Sequence, residues 1–356
     1  MLDTAFTQVG SESVASEPQK FGSVNVNPLM AVADFAVANG LASDRVENAL
    51  GMTLASAKSA AVLPGSLGPD LFRLMMDAGI GNAPAVQLAS SAPFNFFGGL
   101  ERAVLLAPNG QEGLKAMAAN FAVFHDRLNA VFDQSKTYTY FSFRFPGDES
   151  DNGCCNEVVL GVLLRLMRGA FGGFGRPVET RMRYSPNGTR SVYEQYFNSP
   201  LRFNAEDNSH GFVFRTSDMQ WRQPGYDASI FELAVRRLAM EAEVRREKTK
   251  QADFLELVNA AYQCAGVGLF SVKAVCEKSG IGERTAQRIA SKHDTTIGKL
   301  VEAARLRIIK EVMAVRGDIA TEDLAALTGF SDSRSLRRAL KAWTGKSLTE
   351  LRKVPF

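Results

Sequence analysis

Apolar residues recur at helical spacing along the first third of the chain. Leu29, Val32, Phe35 and Ala36 form one stripe, and Leu71, Leu74, Met75 and Ala78 form another after Pro69. Leu114, Met117, Ala118, Phe121, Phe124 and Leu128 predict a third, longer amphipathic helix with His125 on or near its apolar side. The stretch from 27 to about 132 therefore reads as mostly helical, and a lone histidine there fits a packed position better than a ligand. Near Lys136 the period drops from about 3.6 to about 2. Tyr138, Tyr140, Ser142 and Arg144 alternate with Thr139, Phe141, Phe143 and Phe145 up to Pro146, the pattern of a strand with one apolar face. A helix is expected over 155–171, stopped by Gly172-Gly173, and then a strand over 177–184 that ends in the turn cluster Ser185-Pro186-Asn187-Gly188. A short helix near 192–197 and strands at 201–204 and 211–215, parted by the polar stretch 205–210, complete an α+β half of helices plus a small mixed sheet.

Residues 229–247 continue as a helix whose later part, 241–250, is almost wholly charged, which suits a solvated face or a linker. The expected organisation is a disordered tail over 1–25, an α+β domain over 26–240, a linker over 241–252 and an all-α domain over 253–356.

That last domain carries one short pattern twice. The first copy runs from Val272 through Ser279-Gly280-Ile281 into Gly282-Glu283-Arg284-Thr285-Ala286-Gln287-Arg288-Ile289. The second runs from Thr321 through Thr328-Gly329-Phe330 into Ser331-Asp332-Ser333-Arg334-Ser335-Leu336-Arg337-Arg338-Ala339-Leu340. In each, a glycine permits the left-handed backbone that ends one helix, an apolar residue plugs the corner, and an arginine-rich helix follows; Ser331 or Asp332 suits the cap of the second. This is a helix-turn-helix pattern, whose second helix enters the major groove. One copy would be weak evidence, whereas two copies about fifty residues apart are strong. Between them Ile297, Leu300, Val301, Ala304, Ile308, Val312 and Val315 mark a helix of about twenty residues, roughly 30 Å long, against about 34 Å for one turn of B-DNA.

Residues 254–353 resemble the DNA-binding domain of the AraC/XylS family of bacterial transcription regulators, through Gly329-Phe330-Ser331-Asp332, Arg338, Trp343-Thr344-Gly345-Lys346-Ser347 and Leu351-Arg352. The family pattern usually has phenylalanine where Leu336 and Leu340 stand, proline where Leu348 stands and leucine where Ala286 stands. More faintly, Arg176-Pro177-Val178 to Tyr184 and Phe197 to Trp221 resemble the effector domain of ornithine- and virulence-type members, rather than the cupin-type sugar-binding domain of the arabinose regulator. The resemblance implies base contacts by Arg284, Gln287 and Arg288 in the first unit and by Ser333, Arg334, Arg337 and Arg338 in the second. The chemistry agrees, since arginine forks onto guanine and glutamine onto adenine. Lys292, Arg305 and Lys341 suit phosphate contacts, which set register without reading sequence. The implied function is a cytoplasmic, sequence-specific regulator, most often an activator in this family, that binds double-stranded promoter DNA and RNA polymerase. It is expected to act as a homodimer and to be controlled by a small effector such as an amine, an amino acid or a related catabolite. Tyr138, Tyr140 and Arg144 on one candidate strand, with Arg181, Arg183 and Tyr184 on the one expected beside it, suit an anionic effector group; they equally suit the solvated outer face of a sheet.

Composition and charge narrow the alternatives. The 356 residues are 46% apolar and 22% charged, ordinary globular material for two domains. The net charge of +3 averages unlike halves: residues 251–356 hold 17 Lys+Arg against 12 Asp+Glu, and the rest 24 against 26. Four cysteines (Cys154, Cys155, Cys264, Cys276) and three histidines show no zinc spacing, so no metal or cofactor is expected. No signal peptide or membrane span is read; the greasiest run, 158–167, is broken by Arg165. Gly345-Lys346-Ser347 lacks the earlier glycine of a phosphate loop, which Leu340 replaces, and there is no GxSxG. A DNA-repair enzyme using Cys154 or Cys155 and a regulator controlled by protein partners alone remain as alternatives.

Overall fold

The structure, a computed structural model, describes residues 21–145, 148–205, 210–316 and 318–352. Most of the expected tail, most of the polar stretch 205–210 and the last four residues lie outside the described residues. The chain divides into two compact units between Glu247 and Lys248.

The N-terminal unit opens with β1 (Ser23–Asn25), antiparallel to β2 (Val62–Pro64), so the expected tail stops short of residue 25. Between and after these strands come helices α1 (Val26–Ala38), α2 (Ser43–Leu50), α3 (Leu54–Ser59), α4 (Leu67–Asp77), α5 (Pro84–Ser91), α6 (Gly99–Leu105) and α7 (Gly110–Asn120). The apolar stripes of α1 and α4 bury Leu29, Val32, Ala36, Leu71 and Met75 as their spacing predicts. The third stripe does not form one long helix. α7 stops at Asn120, whose side-chain amide turns back onto the Ala116 carbonyl, and a short 3-10 turn swings Phe121 and Phe124 into a cluster with Phe96, Phe97, Phe143 and Phe145. Burial of those rings outweighs the local helical pattern, and His125 leaves the turn extended, bridged to Val24.

A sheet of five strands follows in the order β3-β4-β7-β5-β6: β3 (Asn129–Gln134), β4 (Tyr138–Arg144), β5 (Glu179–Arg181), β6 (Leu201–Arg202) and β7 (His210–Arg215). All neighbours are antiparallel except β5 and β6. β3 occupies residues expected to close the helical region, while β5 and β6 are shorter than expected. The inner face of β4 is as the alternation predicts, with Thr139, Phe141 and Phe143 buried. α8 (Cys154–Phe171) runs through the core, and α9 (Arg190–Phe197) and α10 (Thr216–Met219) complete the unit. With the following 3-10 turn, α8 is long and apolar enough to cross a membrane, yet most of its apolar side chains, among them Val158, Leu160, Leu163, Leu164, Met167 and Phe171, lie in the interior.

α11 (Ala228–Gly266) is one helix of 39 residues that passes through the expected linker without a break. No proline or glycine interrupts it before Gly266, and pairs such as Arg237–Glu241 at 3.0 Å support the charged run. The C-terminal unit continues with α12 (Val272–Ser279), α13 (Glu283–Lys292), α14 (Ile297–Val315), α15 (Thr321–Leu327), α16 (Ser333–Thr344) and α17 (Leu348–Leu351). α14 serves two cores: Ile297, Leu300 and Ala304 pack into the first helix pair, Ile309 and Met313 into the second. The all-α domain with two helix-turn-helix units on a long connecting helix is the architecture the sequence predicts.

Candidate functional site

Each helix pair turns through a left-handed glycine, Gly280 at φ +66° and Gly329 at φ +71°. Gly329 is needed twice over, because a β-carbon there would overlap the Phe270 ring. Ile281 plugs the first corner and Phe330, half-buried against Trp343, the second. Asp332 caps α16, accepting from the Ser335 backbone N–H at 2.7 Å; this bond and the Ser331 hydroxyl hold its carboxyl below the usual range.

Both second helices bury a narrow seam and leave the opposite face cationic. In α13 Ala286, Ile289 and Ala290 are buried while Arg284, Gln287, Arg288 and Lys292 are exposed. In α16 Leu336 and Leu340 are buried while Arg334, Arg337, Arg338 and Lys341 are exposed, with Ser333 half-buried. The leucines at the usual phenylalanine positions thus fill their core, against Ile309, Met313 and Leu324. Among the described residues, the guanidinium groups of Arg284, Arg288, Arg334, Arg337 and Arg338 have no ion-pair partner. The repeated i, i+3, i+4 spacing puts three cationic or amide side chains of each helix on one stripe, open to an incoming polyanion.

Arg305 has a different post from the expected phosphate contact. Its guanidinium carbon lies 4.3 Å from the Phe270 ring centre and 3.5 Å from that of Phe330, and its Nε donates to the Thr328 carbonyl at 2.7 Å. Half-buried, Arg305 thus clasps the second turn to the long helix.

The six residues expected to hold an effector are only partly brought together. β7 separates β4 from β5, so the two strands are not neighbours. Gly211 pairs with both Ser142 and Arg181, and with no side chain in the way the Arg181 guanidinium reaches 6.0 Å from the Tyr140 ring. Tyr138 lies 6.5 Å from Tyr140 and is 40% exposed, and Arg144 is exposed. Arg183 and Tyr184 fall beyond the end of β5, stacked on each other at 4.9 Å. Tyr140, Arg181, Arg183 and Tyr184 are half-buried.

A cavity of about 40 Å³ lies elsewhere in the N-terminal unit, walled by Leu29, Val32, Phe72, Phe96, Phe124 and Val159. Its polar lining is His125, Asp151 and Cys155. His125 is 2% exposed; burial, reinforced by Arg245 and Arg127, lowers its pKa to about 4 against the pull of Asp126, so the ring is neutral. The Arg127 backbone N–H donates to its Nδ1 at 3.2 Å, which leaves the proton on Nε2. Beside it, Arg245 of α11 donates to the carbonyls of Val123 (2.6 Å) and Ser23 (2.9 Å), and Ser23 donates to Asp126. Leu238, Ala242 and Arg245 thus form the inward stripe of α11. No periodicity in the sequence signals this cavity, because its walls come from six separate segments.

Comparison with known proteins follows the same division. Residues 40–223 match the family described as the arabinose-binding domain of AraC transcription regulators, at the N-terminal end, and residues 275–354 match a helix-turn-helix domain family. The chain is an AraC-family transcription regulator. The N-terminal match carries the arabinose description, although the sequence set this half apart from the cupin-type sugar-binding domain. The regulator is 20% identical over 295 residues to the HTH-type transcriptional regulator VqsM of Pseudomonas aeruginosa, covering 79% of this chain and 87% of that one. A solved structure, the transcriptional regulator CdpR from Pseudomonas aeruginosa, aligns with TM-score 0.42 and 16% identity over 96% of this chain and 100% of that one.

Two buried groups in the regulator have shifted titration: Glu157, which the sequence did not single out, and Cys154, which it named as a candidate thiol. Burial pushes the Glu157 carboxyl up to about 8, although Tyr193 and Asn187 donate to its oxygens at 2.8 and 3.0 Å. Burial likewise pushes the Cys154 thiol well up, with Glu157 and Asp151 adding to the effect, so it is a poor nucleophile. Its neighbour Cys155 sits at the start of α8, where Asp151 accepts from the Gly153 and Cys155 backbone N–H groups at 3.0 and 2.8 Å.

Proposed function

We propose that the regulator is a cytoplasmic, effector-controlled, sequence-specific activator that binds promoter DNA as a homodimer and recruits RNA polymerase. The observation that carries this reading is the pair of recognition helices whose exposed arginines lack ion-pair partners among the described residues. Arg284, Gln287 and Arg288 read one half-site, and Ser333, Arg334, Arg337 and Arg338 the other; Lys292 and Lys341 contact phosphate. A surplus of only five positive charges over residues 251–356 leaves specificity to the placement of these side chains. For control by an effector, the support is the apolar-walled cavity in a unit that matches a ligand-binding family. For the dimer, it is the outward stripe of α11, where Ile230, Leu233, Met240 and Val244 are 52%, 70%, 72% and 58% exposed at coiled-coil spacing. We assign no catalytic role, since the Cys154 thiol is buried and held protonated. The test is footprinting of the regulator on the DNA flanking its own gene, with and without candidate amines, amino acids and catabolites. Protection of two successive major-groove faces that shifts with one of these compounds supports the reading; unprotected DNA at low salt overturns it.

A further inference from the structure

We infer that the cavity against His125 is the effector site and that it takes a small neutral molecule with one hydrogen-bond acceptor, of the ketone, ester or amide class. This rests on the reading that the regulator is controlled by a ligand. The cavity is kept open by two glycines: a β-carbon on Gly65 would come within 2.8 Å of His125 Nε2, and one on Gly68 within 3.0 Å of Cys155 Sγ. Inside it, His125 is the polar anchor. Its Nδ1 accepts from Arg127, and its Nε2 has no hydrogen-bond partner among the described residues, so it offers one donor.

The volume of about 40 Å³ admits roughly three or four non-hydrogen atoms, at about one water-sized sphere each. A carboxylate placed there meets Asp151 and no cation of the lining. An ammonium finds Asp151 already accepting from two backbone N–H groups, and aromatic and aliphatic walls elsewhere that leave its lost hydration unreplaced. A neutral acceptor satisfies His125 and leaves the apolar walls dry.

The site also touches the element that leads to the DNA-binding unit. Val24 and His125, both in the lining, are bridged to each other, and Arg245 of α11 grips the carbonyls of Ser23 and Val123 on the same two segments. A ligand that spreads Val24 from His125 changes the hold on α11 first.

Four isosteric probes test this on the full chain: acetone, acetate, isopropylammonium and isobutane, with ligand-observed NMR as readout and xenon as an apolar competitor. The expected result is acetone binding that xenon displaces, with acetate and isopropylammonium at least about tenfold weaker. His125→Phe is expected to weaken acetone about tenfold, the worth of one buried hydrogen bond, and to leave xenon unchanged. Gly68→Val, which fills the cavity, is expected to remove both. Binding of acetate or isopropylammonium in preference to acetone overturns the inference, as does full acetone affinity in His125→Phe; the wild-type competition decides if a variant fails to fold. Compounds that change operator affinity equally in the wild type and in folded Gly68→Val also overturn it, with effector control standing. Occupancy of the cavity with no change in operator affinity overturns its assignment as the effector site, and a regulator whose operator affinity no compound changes overturns effector control itself.

Discussion

Arg334 and Arg305 are two arginines of one small domain with opposite duties. Arg334 is exposed on α16 and has no ion-pair partner among the described residues, whereas Arg305 is held between two aromatic rings and a carbonyl. Replacing Arg334 by alanine is expected to cost about 1–3 kcal/mol of operator affinity and to relax specificity at one position of one half-site, read by affinity across operator variants. Replacing Arg305 by alanine is expected to cost about 2 kcal/mol of unfolding stability and to leave the salt dependence of DNA binding unchanged. The arginine stripe was legible in the sequence because spacing alone puts it on one helix face. The duty of Arg305 was not, since Phe270 and Phe330 reach it from 35 and 25 residues away along the chain.

Titration at Glu157 and His125 belongs to this scale too. Glu157 has a folded pKa raised from 4.5 to about 8, so folding takes up a proton and stability falls as pH rises through that window. His125 has a folded pKa lowered from 6.5 to about 4, so its contribution is complete above pH 6.5 and is lost as pH falls toward 4. The two slopes oppose each other below pH 6.5, and above it Glu157 acts alone. The melting temperature is expected to fall between pH 6.5 and 8, and Glu157→Gln to flatten that fall; a flat wild-type profile would refute the buried neutral carboxyl.

At the scale of elements, α11 presents two faces with different work. Leu238, Ala242 and Arg245 bind the N-terminal unit, and Ile230, Leu233, Met240 and Val244 stand outward. Leu233→Lys and Met240→Lys together are expected to convert dimers to monomers in sedimentation while the melting temperature changes little; dimers that persist would place the interface elsewhere. The helix itself was foreseen only to residue 247, because a run of charges reads as a linker when its partners are out of view. The reverse error occurred at 121–134, where a helical repeat of phenylalanines and leucines gave way to a turn and β3. Ring packing across the core decided that segment, and periodicity within one segment carries no trace of it. β4, α8 and the four helices of the two recognition pairs were readable because their alternation, caps and glycines are local.

At the scale of the whole molecule, one 39-residue helix spans the point at which the chain divides into its two units. The sequence separated the units by charge and motif, but for Tyr138, Tyr140, Arg144, Arg181, Arg183 and Tyr184 it left an effector contact and a solvated sheet face equally open, and it did not single out the cavity. Removal of residues 1–250 is expected to leave a fragment that still binds operator DNA and no longer responds to an effector. The most direct test of the central claim is selection of duplex DNA from a random pool by the full regulator, with Arg288→Ala and Arg334→Ala in parallel. The account predicts one bipartite site with half-sites about one helical turn apart, each variant losing selectivity in a different half. Recovery of unselected sequence by the wild type, or loss in the same half by both variants, would contradict it.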